Sequence, residues 1–398
     1  MTAALAVPAS RWSTQQLGGA AALDEAEWNG LARRGFHIHR WFRAAEDSGW
    51  RARHVVVREG RDARAVLPAY LTGAETPHDL HDRWLGPLRG LERIGLGLRP
   101  VLSVQSPFSL TSDALGDTNA LPRAVLAQAF ELLDETAARD RAKAVVWPFV
   151  DPADGAVIAL ARERGYAVIN AGATARLRIR WGSFDEYLAS RSKSVRRTIR
   201  SDLAGLGAAG LQTVSTSDYR APAAEMDALY RGAYRLRNGR DARLAPGYFE
   251  RLASPPTPGI SAQLTASGGR IVGMSLTLTA GSLVDGTFAA FAVSERGGPA
   301  YLNDLVYQPI RCACARGIPG LDLGMGALYP KVLRGARLRR RVALVRGTGP
   351  AMHQVLIALG AAVARRQEAK ERRMLGPLWG PQCYEDGEEF TPCPPAPH

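Results

Sequence analysis

The stretch that decides the fold reads Arg316-Gly-Ile-Pro-Gly-Leu-Asp-Leu-Gly-Met-Gly-Ala-Leu-Tyr-Pro-Lys-Val-Leu-Arg-Gly-Ala336. Its residues 320–323 have the apolar character of a buried strand, and the strand ends in Gly324-x-Gly326. Glycines at a strand end let the backbone approach a ligand closely. The same strand end carries a carboxylate, a phenol and two cations, on Asp322, Tyr329, Lys331 and Arg334. Together these groups indicate proton transfer and anion binding.

Upstream of this stretch the sequence predicts three consecutive strands, over residues 261–266, 270–279 and 282–293. Glycine-bearing turns separate them, so they form an antiparallel meander. The next segment, Glu295-Arg-Gly-Gly-Pro-Ala300, leads into a predicted helix over residues 301–316. A glycine turn from strand to helix suits a pyrophosphate, and Arg296 is a candidate cofactor-binding residue there. Pro299 lacks an N–H at that turn, which makes an ordinary connection the competing interpretation.

Residues 184–206 predict a strongly amphipathic helix. At helical spacing one face is entirely cationic, formed by Lys193, Arg196, Arg197 and Arg200. Val195, Ile199, Leu203 and Leu206 form the apolar stripe that buries the helix. Like charges at this spacing repel each other, so the face favours an anionic substrate or carrier, with a solvated surface as the alternative.

The first half of the chain shows a similar order of elements. Helices are predicted over residues 41–47, 122–139 and 158–164, and strands over 54–58, 65–71, 144–149, 166–170 and 175–179. The second half adds helices over 222–236 and 248–253 and a strand over 338–345. A duplicated α/β unit explains this recurrence. We therefore predict domains at 1–170 and 171–348, followed at 349–398 by a basic helix and a proline-rich tail.

Length and composition bound the class of protein. The chain has 398 residues, 46% hydrophobic and 22% charged, which fits two globular domains. No apolar run approaches the roughly 20 residues of a transmembrane helix, and residues 1–10 lack the basic start of a signal peptide. A cytoplasmic protein is expected. The four cysteines have neither disulfide-framework nor zinc-site spacing, so no metal is expected.

The net charge of +13 favours a polyanionic partner: nucleic acid, a phosphorylated cofactor or an acidic protein. Arginine accounts for most of the basic residues. The base composition of the gene is therefore a competing explanation for part of this charge.

The order of these motifs resembles the FemAB-like branch of the GNAT N-acyltransferase superfamily, which includes acetyltransferases of peptidoglycan-related or cellulose-related biosynthesis. The residues that carry the resemblance are the basic helix, the meander with Gly273, Leu321-Asp-Leu-Gly324, Tyr329-x-Lys331 and Arg334-Gly-Ala336. In the first half, residues 39–49 and 64–71 are similar to the first domain of the same proteins. The resemblance spans residues 36–347.

This resemblance implies an α/β fold of two tandem GNAT-like domains, with mixed, mostly antiparallel sheets flanked by helices. It implies transfer of an acyl or aminoacyl group from acyl-CoA or aminoacyl-tRNA, neither of them tightly bound, to the amine of a small-molecule, cell-wall or secondary-metabolite substrate. We expect Asp322 or Asp304 to orient or deprotonate the amine and Tyr329 to protonate the leaving group. Lys331, Arg334 and Arg296 are expected to bind donor phosphate, and the cationic helix face a larger anionic donor or carrier.

Two other functions remain open from the sequence. The first is an enzyme of the same scaffold that performs non-acyl chemistry on an amine held by an acidic carrier protein, with an oligomer or partner subunit. The second is a non-enzymatic nucleic-acid-binding protein. The charge favours the second, whereas the scarcity of aromatic residues beside the arginines disfavours it.

Overall fold

The computed structural model describes residues 11–73, 99–242, 244–292 and 298–385. The strands, in chain order, are β1 Trp12–Leu17, β2 Arg51–Ala52, β3 His54–Glu59, β4 Asp62–Leu67, β5 Ala69–Thr72, β6 Val101–Val104, β7 Ala144–Val150, β8 Ala167–Arg178, β9 Gln212–Thr216, β10 Ile260–Ser267, β11 Arg270–Ala280, β12 Leu283–Phe291, β13 Gly320–Asp322 and β14 Arg337–Gly347. The helices are α1 Glu25–Gly30, α2 His39–Glu46, α3 Arg123–Arg139, α4 Gly155–Glu163, α5 Phe184–Ala189, α6 Lys193–Ala208, α7 Ala223–Asn238, α8 Tyr248–Ala253, α9 Gly298–Leu302, α10 Gln308–Ala315, α11 Leu328–Leu333 and α12 Pro350–Leu375. A π-helical turn, Asn303–Tyr307, joins α9 to α10.

The predicted fold class is confirmed: helices flank mixed sheets in which antiparallel pairs dominate. The meander is formed by β10, β11 and β12 in antiparallel register. The first hairpin pairs β3 with β4. Helix α8 has the predicted bounds, and α3 begins one residue after the predicted start because Pro122 is its N-cap.

Three predicted elements differ from the structure. The strands predicted over 166–170 and 175–179 are one strand, β8 Ala167–Arg178. Gly172 bends the chain without ending the ladder, since it has φ +98° beside the register shift at Arg341/Val342 in the pairing with β14. The predicted helix over 184–206 is two helices, since Ser192 caps a new start by accepting a hydrogen bond from the Val195 N–H. The helix over 301–316 contains the π turn.

The central sheet has eleven strands in the order β2-β5-β6-β7-β14-β8-β13-β12-β11-β10-β9. Two parallel pairs, β6–β7 and β12–β13, are each followed by a helix and one more strand. The strand after β7 is β8, yet it lies beside β13. The strand after β13 is β14, yet it lies beside β7. The two halves therefore exchange their last strands, and the exchanged strands pair with each other at the centre.

The domain boundary predicted near residue 170 stays a prediction. Strand β8 is continuous across that position. Helix α12 packs along the exchanged strands, where a Cβ on Gly360 would meet Ile169. The proline-rich tail and the turn that carries Arg296 lie outside the described residues. Among the helices of the described ranges, none is both long and apolar enough to cross a membrane.

The N-terminal segment crosses onto the sheet of the second half. Phe36, Ile38 and Trp41 share a core with strands β10–β12 and helices α7 and α8. At Gly35 the backbone lies directly against β11, since a Cβ there would sit 2.3 Å from the Leu278 carbonyl oxygen. This contact brings the neighbouring Arg33 and Arg34 to the middle of the sheet.

Candidate functional site

A buried set of four arginines and four aspartates lies on one face of the central sheet, where the two halves meet. We call it the charge lattice; its members are Arg34, Arg176, Arg339, Arg341, Asp113, Asp151, Asp285 and Asp322. Each side chain has at least one oppositely charged partner within the set. The lattice is formally neutral. Each buried charge is compensated by an opposite charge nearby, and this offsets the loss of hydration.

Strand register assembles the lattice. Asp285 is opposite Asp322 in the parallel pair, and Asp322 is opposite Arg176 on β8. On β14, Arg339 and Arg341 are two residues apart and so point to the same face, while Leu338 and Arg340 point to the other. Asp322 lies 3.2 Å from Arg176 and from Arg34 and 3.4 Å from Arg341.

The other end of the lattice belongs to the first half. Asp151 follows the fully buried strand β7, and its carboxylate accepts from Arg339 at 2.6 Å, Arg341 at 3.0 Å and Arg176 at 3.2 Å. Asp113 pairs with Arg34 at 3.1 Å and accepts the Asp151 backbone N–H at 2.8 Å. The lattice thus joins the ends of both parallel strand pairs.

Asp322, expected to act as a base or to orient the amine, is part of this lattice. Burial alone would raise its pKa, but Arg176, Arg34 and Arg341 outweigh burial and hold the pKa of Asp322 well below its usual range. A carboxylate kept ionised in this way is a weak proton acceptor. Its surroundings favour an organising role, and they do not support general-base catalysis.

Asp304, the other expected carboxylate, lies on the opposite face of the sheet, in the π turn. Its Oδ1 accepts from Thr265 at 2.6 Å, and its backbone oxygen accepts from Ser275 at 2.7 Å. Its Oδ2 has no hydrogen-bond partner among the described residues. Burial raises the pKa of Asp304 to about 7. The structure therefore separates Asp304 from Asp322 instead of bringing them together.

A cavity of about 260 Å³, here called the acidic cavity after its three carboxylates, opens beside the lattice. The carboxylates are those of Asp113, Asp151 and Asp154, and the lining also contains His37 and four arginines, Arg33, Arg34, Arg176 and Arg339. Asp154 is the N-cap residue of α4, yet its side chain accepts no N–H of that helix. Its carboxylate instead contacts Arg33 at 3.1 Å. The residue best placed to cap a helix is therefore turned toward the cavity.

The electrostatics of the acidic cavity suit proton transfer. Burial, followed by the nearby Asp113 carboxylate, raises the pKa of Asp154 to about 7, although Arg33 opposes the shift. Burial lowers the pKa of His37 to about 3, so its imidazole is neutral. Because His37 Nδ1 accepts the Arg33 N–H at 3.4 Å, Nε2 carries the proton, and it has no partner among the described residues.

Two of the three residues expected to bind phosphate, Lys331 and Arg334, donate hydrogen bonds inside the protein. Lys331 is buried and donates to the backbone oxygens of Leu323 and Gly326, which fixes the glycine turn after β13. Burial lowers the pKa of Lys331 to about 7. Arg334 is buried against Asp202 at 2.6 Å and the Tyr307 hydroxyl at 2.5 Å. Their surroundings do not support phosphate binding, because both side chains are buried and already held by acceptors inside the protein.

Tyr329 and the basic helix lie on the surface. Tyr329 is 43% exposed at the start of α11. On α6, Lys193, Arg197 and Arg200 are exposed, and none has a carboxylate partner in the described ranges; we call these three the basic face. Arg196 is different, since it donates to the carbonyl oxygens of Ala189 and Arg191 and closes the preceding helix.

A second cavity, of about 340 Å³, lies next to the acidic cavity and shares Arg176 with it. We call it the arginine pocket; it is lined by Arg176, Arg178, Arg180, Trp181, Arg191, Gly335, Arg337 and Glu385. The residue that precedes the basic helix by two positions, Arg191, is part of it. Positive charge therefore continues from the pocket onto the basic face.

Sequence reasoning missed Asp151, Asp154 and the arginines of the lattice. Two signals were present: Asp151-Pro-Ala-Asp154 directly follows a wholly apolar strand, and four of the first five residues of β14 are arginines. Strand ends and inward-facing charges are both signs of a site. The partner of each residue, however, depends on long-range register.

Residues 19–373 match the FemAB-like family, described as peptidoglycan biosynthesis/recognition. The fold is similar to the crystal structure of FemX, at 12% identity, with 84% of this chain and 98% of that chain covered and a TM-score of 0.58. It is also similar to the C-terminal domain of a putative lysylphosphatidylglycerol synthetase from Agrobacterium fabrum, at 13% identity, with 86% and 97% covered and a TM-score of 0.53. A tandem GNAT protein of the clavulanic acid biosynthesis pathway matches at 13% identity, 85% and 99% coverage and a TM-score of 0.47. No curated protein sequence matches.

Proposed function

Because this chain belongs to the FemAB-like family, whose fold and relatives support a transferase of acyl or aminoacyl groups, we propose that it is an N-acyltransferase whose acceptor amine binds in the acidic cavity. The donor is a polyanion, aminoacyl-tRNA or acyl-CoA. The acceptor is the amine of a small-molecule, cell-wall or secondary-metabolite substrate. The observation that carries the proposal is Asp154, a cavity carboxylate with a pKa of about 7 and no structural role as a helix cap.

The reaction needs a neutral amine. The acceptor enters the cavity beside Asp154 as an ammonium group and loses one proton to solvent, because the four arginines of the lining disfavour a further positive charge. The neutral amine nitrogen attacks the acyl carbonyl carbon, and Asp154 takes the second N–H proton from this nitrogen as the N–C bond forms. The N–C bond forms as the ester C–O bond of tRNA or the thioester C–S bond of CoA breaks, and the proton passes to the leaving oxygen or sulfur.

His37 is the candidate donor to the oxyanion. Its neutral ring offers an Nε2–H that no described residue accepts, beside the same cavity. One such hydrogen bond contributes about a hundredfold or more to turnover in acyl transfer. Burial alone would raise the pKa values of Asp113 and Asp151, but the lattice arginines outweigh burial and hold both below their usual range. Asp154 is therefore the carboxylate of this cavity whose proton can move near neutral pH.

Charge and an open strand edge support a polyanionic donor. The parallel pairing of β12 with β13 covers only Leu283–Asp285, and beyond it β12 has no described partner on that side. An extended donor can pair with this edge. In the first half, β7 likewise extends beyond its parallel pairing with β6. There the chain itself occupies the strand edge, since the Ser112 N–H donates to the Phe149 carbonyl oxygen at 2.9 Å. The basic face then binds donor phosphates.

The test is the Asp154→Asn variant against Asp117→Asn, which removes an exposed carboxylate from a nearby turn. Purified proteins are incubated with acyl-CoA or aminoacyl-tRNA and a panel of amines, and acylated product is measured by mass spectrometry. We expect wild-type kcat/KM to rise with pH through about 7 and Asp154→Asn to lose about 10²–10⁴-fold in kcat. Full turnover by Asp154→Asn would refute the assignment.

The basic face also favours a second candidate function, binding of a nucleic acid without chemistry. A salt titration of RNA binding separates the two proposals. Tight, salt-sensitive binding without transfer from any donor would support the binding protein. Transfer that requires Asp154 would support the enzyme.

A further inference from the structure

The π turn connects the outer strands of the second half. Asn303 Nδ2 donates to Thr213 Oγ1 of the edge strand β9 at 2.9 Å. Asp304 is bonded to β10 by its side chain and to β11 by its backbone oxygen. On β12, a Cβ at Gly286 would be 3.1 Å from Leu305 Cδ1, so the turn lies directly against that strand. Three consecutive residues of the turn thus contact four strands.

The last residue of the same turn holds helix α6. The Tyr307 hydroxyl donates to Asp202 of α6 and accepts from Arg334 Nε, and Arg334 lies 2.6 Å from Asp202. The apolar attachment of α6 is thin, because only Ile199 and Leu206 of this helix are buried. The position of α6 therefore depends on where the π turn places Tyr307.

The π turn also contains a carboxylate that is only half satisfied. Asp304 is 2% exposed, and its Oδ1 accepts from Thr265 at 2.6 Å and from Asn303 at 3.1 Å. Its Oδ2 accepts no hydrogen bond and faces the backbone of Gly273, where a Cβ would be 2.7 Å away. Burial raises the pKa of Asp304 to about 7, against the two hydrogen bonds to Oδ1.

The elements packed around Asp304 bring no cation to it within the described ranges. Strands β9 and β10 and helix α9 contain no Asp, Glu, Lys, Arg or His. The charged and titratable groups on the other neighbours are all engaged elsewhere or exposed: Arg270 at the exposed start of β11, Asp285 in the charge lattice on the other face, Asp202 against Arg334, Tyr301 against Phe291 and Arg311 over Phe184. An ionised Asp304 therefore has no compensating charge.

We propose that the π turn is a proton-operated switch, in which ionisation of Asp304 opens the turn and releases α6 from the sheet. A buried carboxylate that loses its proton without a nearby cation is stabilised by reaching water. The turn is the part that yields, because its wide backbone ring departs from the α-helical ladder, whereas Gly273 belongs to a strand paired on both sides. The basic face then moves with α6. An effect of this movement on the donor rests on the proposed function, but the opening itself does not.

The direction of the pH dependence follows from proton linkage. The closed turn keeps Asp304 protonated up to about pH 7, whereas a hydrated aspartate has a pKa of about 4. Opening therefore releases a proton between these two values, and the opening equilibrium rises up to about tenfold per pH unit. Above pH 7 the carboxylate is ionised in both states, so the dependence levels off.

The experiment is hydrogen exchange of the whole chain between pH 5 and pH 8, followed by mass spectrometry, with protection factors corrected for intrinsic exchange. In the wild type, peptides of the π turn and of α6 should lose about tenfold in protection per unit from pH 5 to pH 7 and level off above. Asp304→Asn, which keeps the neutral shape, should show no such decline. The control Asp241→Asn removes an exposed carboxylate of the same half and should follow the wild-type profile.

Two further readouts separate a local switch from a general loss of stability. The β3–β4 hairpin of the first half should keep its protection over the same range. In Tyr307→Phe, which removes the contact with Asp202, protection of α6 should no longer depend on pH. Equal protection of α6 at pH 5 and pH 7, the same decline in Asp304→Asn, or a parallel decline in the hairpin would overturn the proposal. Asp154→Asn should keep the wild-type profile, so loss of the proposed transfer and loss of the switch are separate results.

Discussion

Replacing Arg341 by methionine should strongly destabilise the protein. Arg341 is fully buried, and its guanidinium lies 3.0 Å from Asp151, 3.4 Å from Asp322 and 3.6 Å from Asp113. At an effective dielectric constant near 20, each contact corresponds to roughly 5 kcal/mol before desolvation is subtracted. Methionine fills similar volume but leaves the lattice with one uncompensated negative charge. Breaking a buried network in this way costs about 3–5 kcal/mol.

The assay is equilibrium urea denaturation, supported by calorimetry. For 398 residues that unfold together, the unfolding entropy of about 2 cal/mol/K per residue converts this loss to a fall in Tm of roughly 4–6 °C. The control is Arg340→Met, the adjacent residue on the opposite face, whose guanidinium lies 4.1 Å from the Tyr384 ring centroid. It should cost about 0.5–1 kcal/mol.

A double variant tests whether charge balance is the cause. Adding Asp322→Asn to Arg341→Met returns the lattice to neutrality, so the pair should lose less stability than the sum of the single variants by about 1 kcal/mol or more. If Arg341→Met is no more damaging than Arg340→Met, or if the two changes are strictly additive, the lattice does not act as a balanced unit and the reasoning fails.

Three further outcomes are expected. The pKa of Asp304 is about 7 in the folded state and lies above its unfolded value, so protonated Asp304 contributes its full stabilisation below pH 4 and loses it as pH rises toward 7. Asp304→Asn should therefore make the free energy of unfolding fall less between pH 4 and pH 8, as measured by urea denaturation. Gly273→Ala should lower the free energy of unfolding by about 1–3 kcal/mol, because the new Cβ would be 2.7 Å from Asp304 Oδ2. Its control is Gly232→Ala on α7, where a Cβ meets open space; this variant should raise the free energy of unfolding by about 0.5–1 kcal/mol in the same assay. Replacing all three cations of the basic face by alanine should lower the slope of log affinity against log salt by about 2–3 in titrations with RNA, and an unchanged slope would remove this face from donor binding.

Local sequence pattern was sufficient to predict most helices and strands and the family, but not the residues of the candidate site. The meander and α8 follow from turn glycines and apolar periodicity, which are visible within a few residues. By contrast, β1 and β9 were missed because they are short edge strands with polar sequences, Trp-Ser-Thr-Gln-Gln-Leu and Gln-Thr-Val-Ser-Thr. Helix α11 was missed because Pro330 near its start reads as a break.

The chemistry was placed at β13 because its carboxylate, phenol and cations are neighbours in sequence. In the folded chain Lys331 and Arg334 turn inward to hold the glycine turn and Asp202, while Arg339 finds its partner Asp151 188 residues away. Such pairs depend on which strands lie side by side. The strand exchange at the centre of the sheet sets that arrangement, and a single sequence gives no sign of it.

The exchange of β8 and β14 also restricts how the protein can move. Many two-lobed enzymes admit substrate by rotating one lobe about a flexible connection. Here each lobe contains a strand of the other, and nine residue pairs join those strands, from Arg337↔Arg176 to Val345↔Ala167. Rotation would shear this ladder together with the ion pairs above it. Ligands must therefore enter and leave through the surface segments at the rim of the sheet, and turnover is expected to be governed by those segments rather than by opening of the lobes.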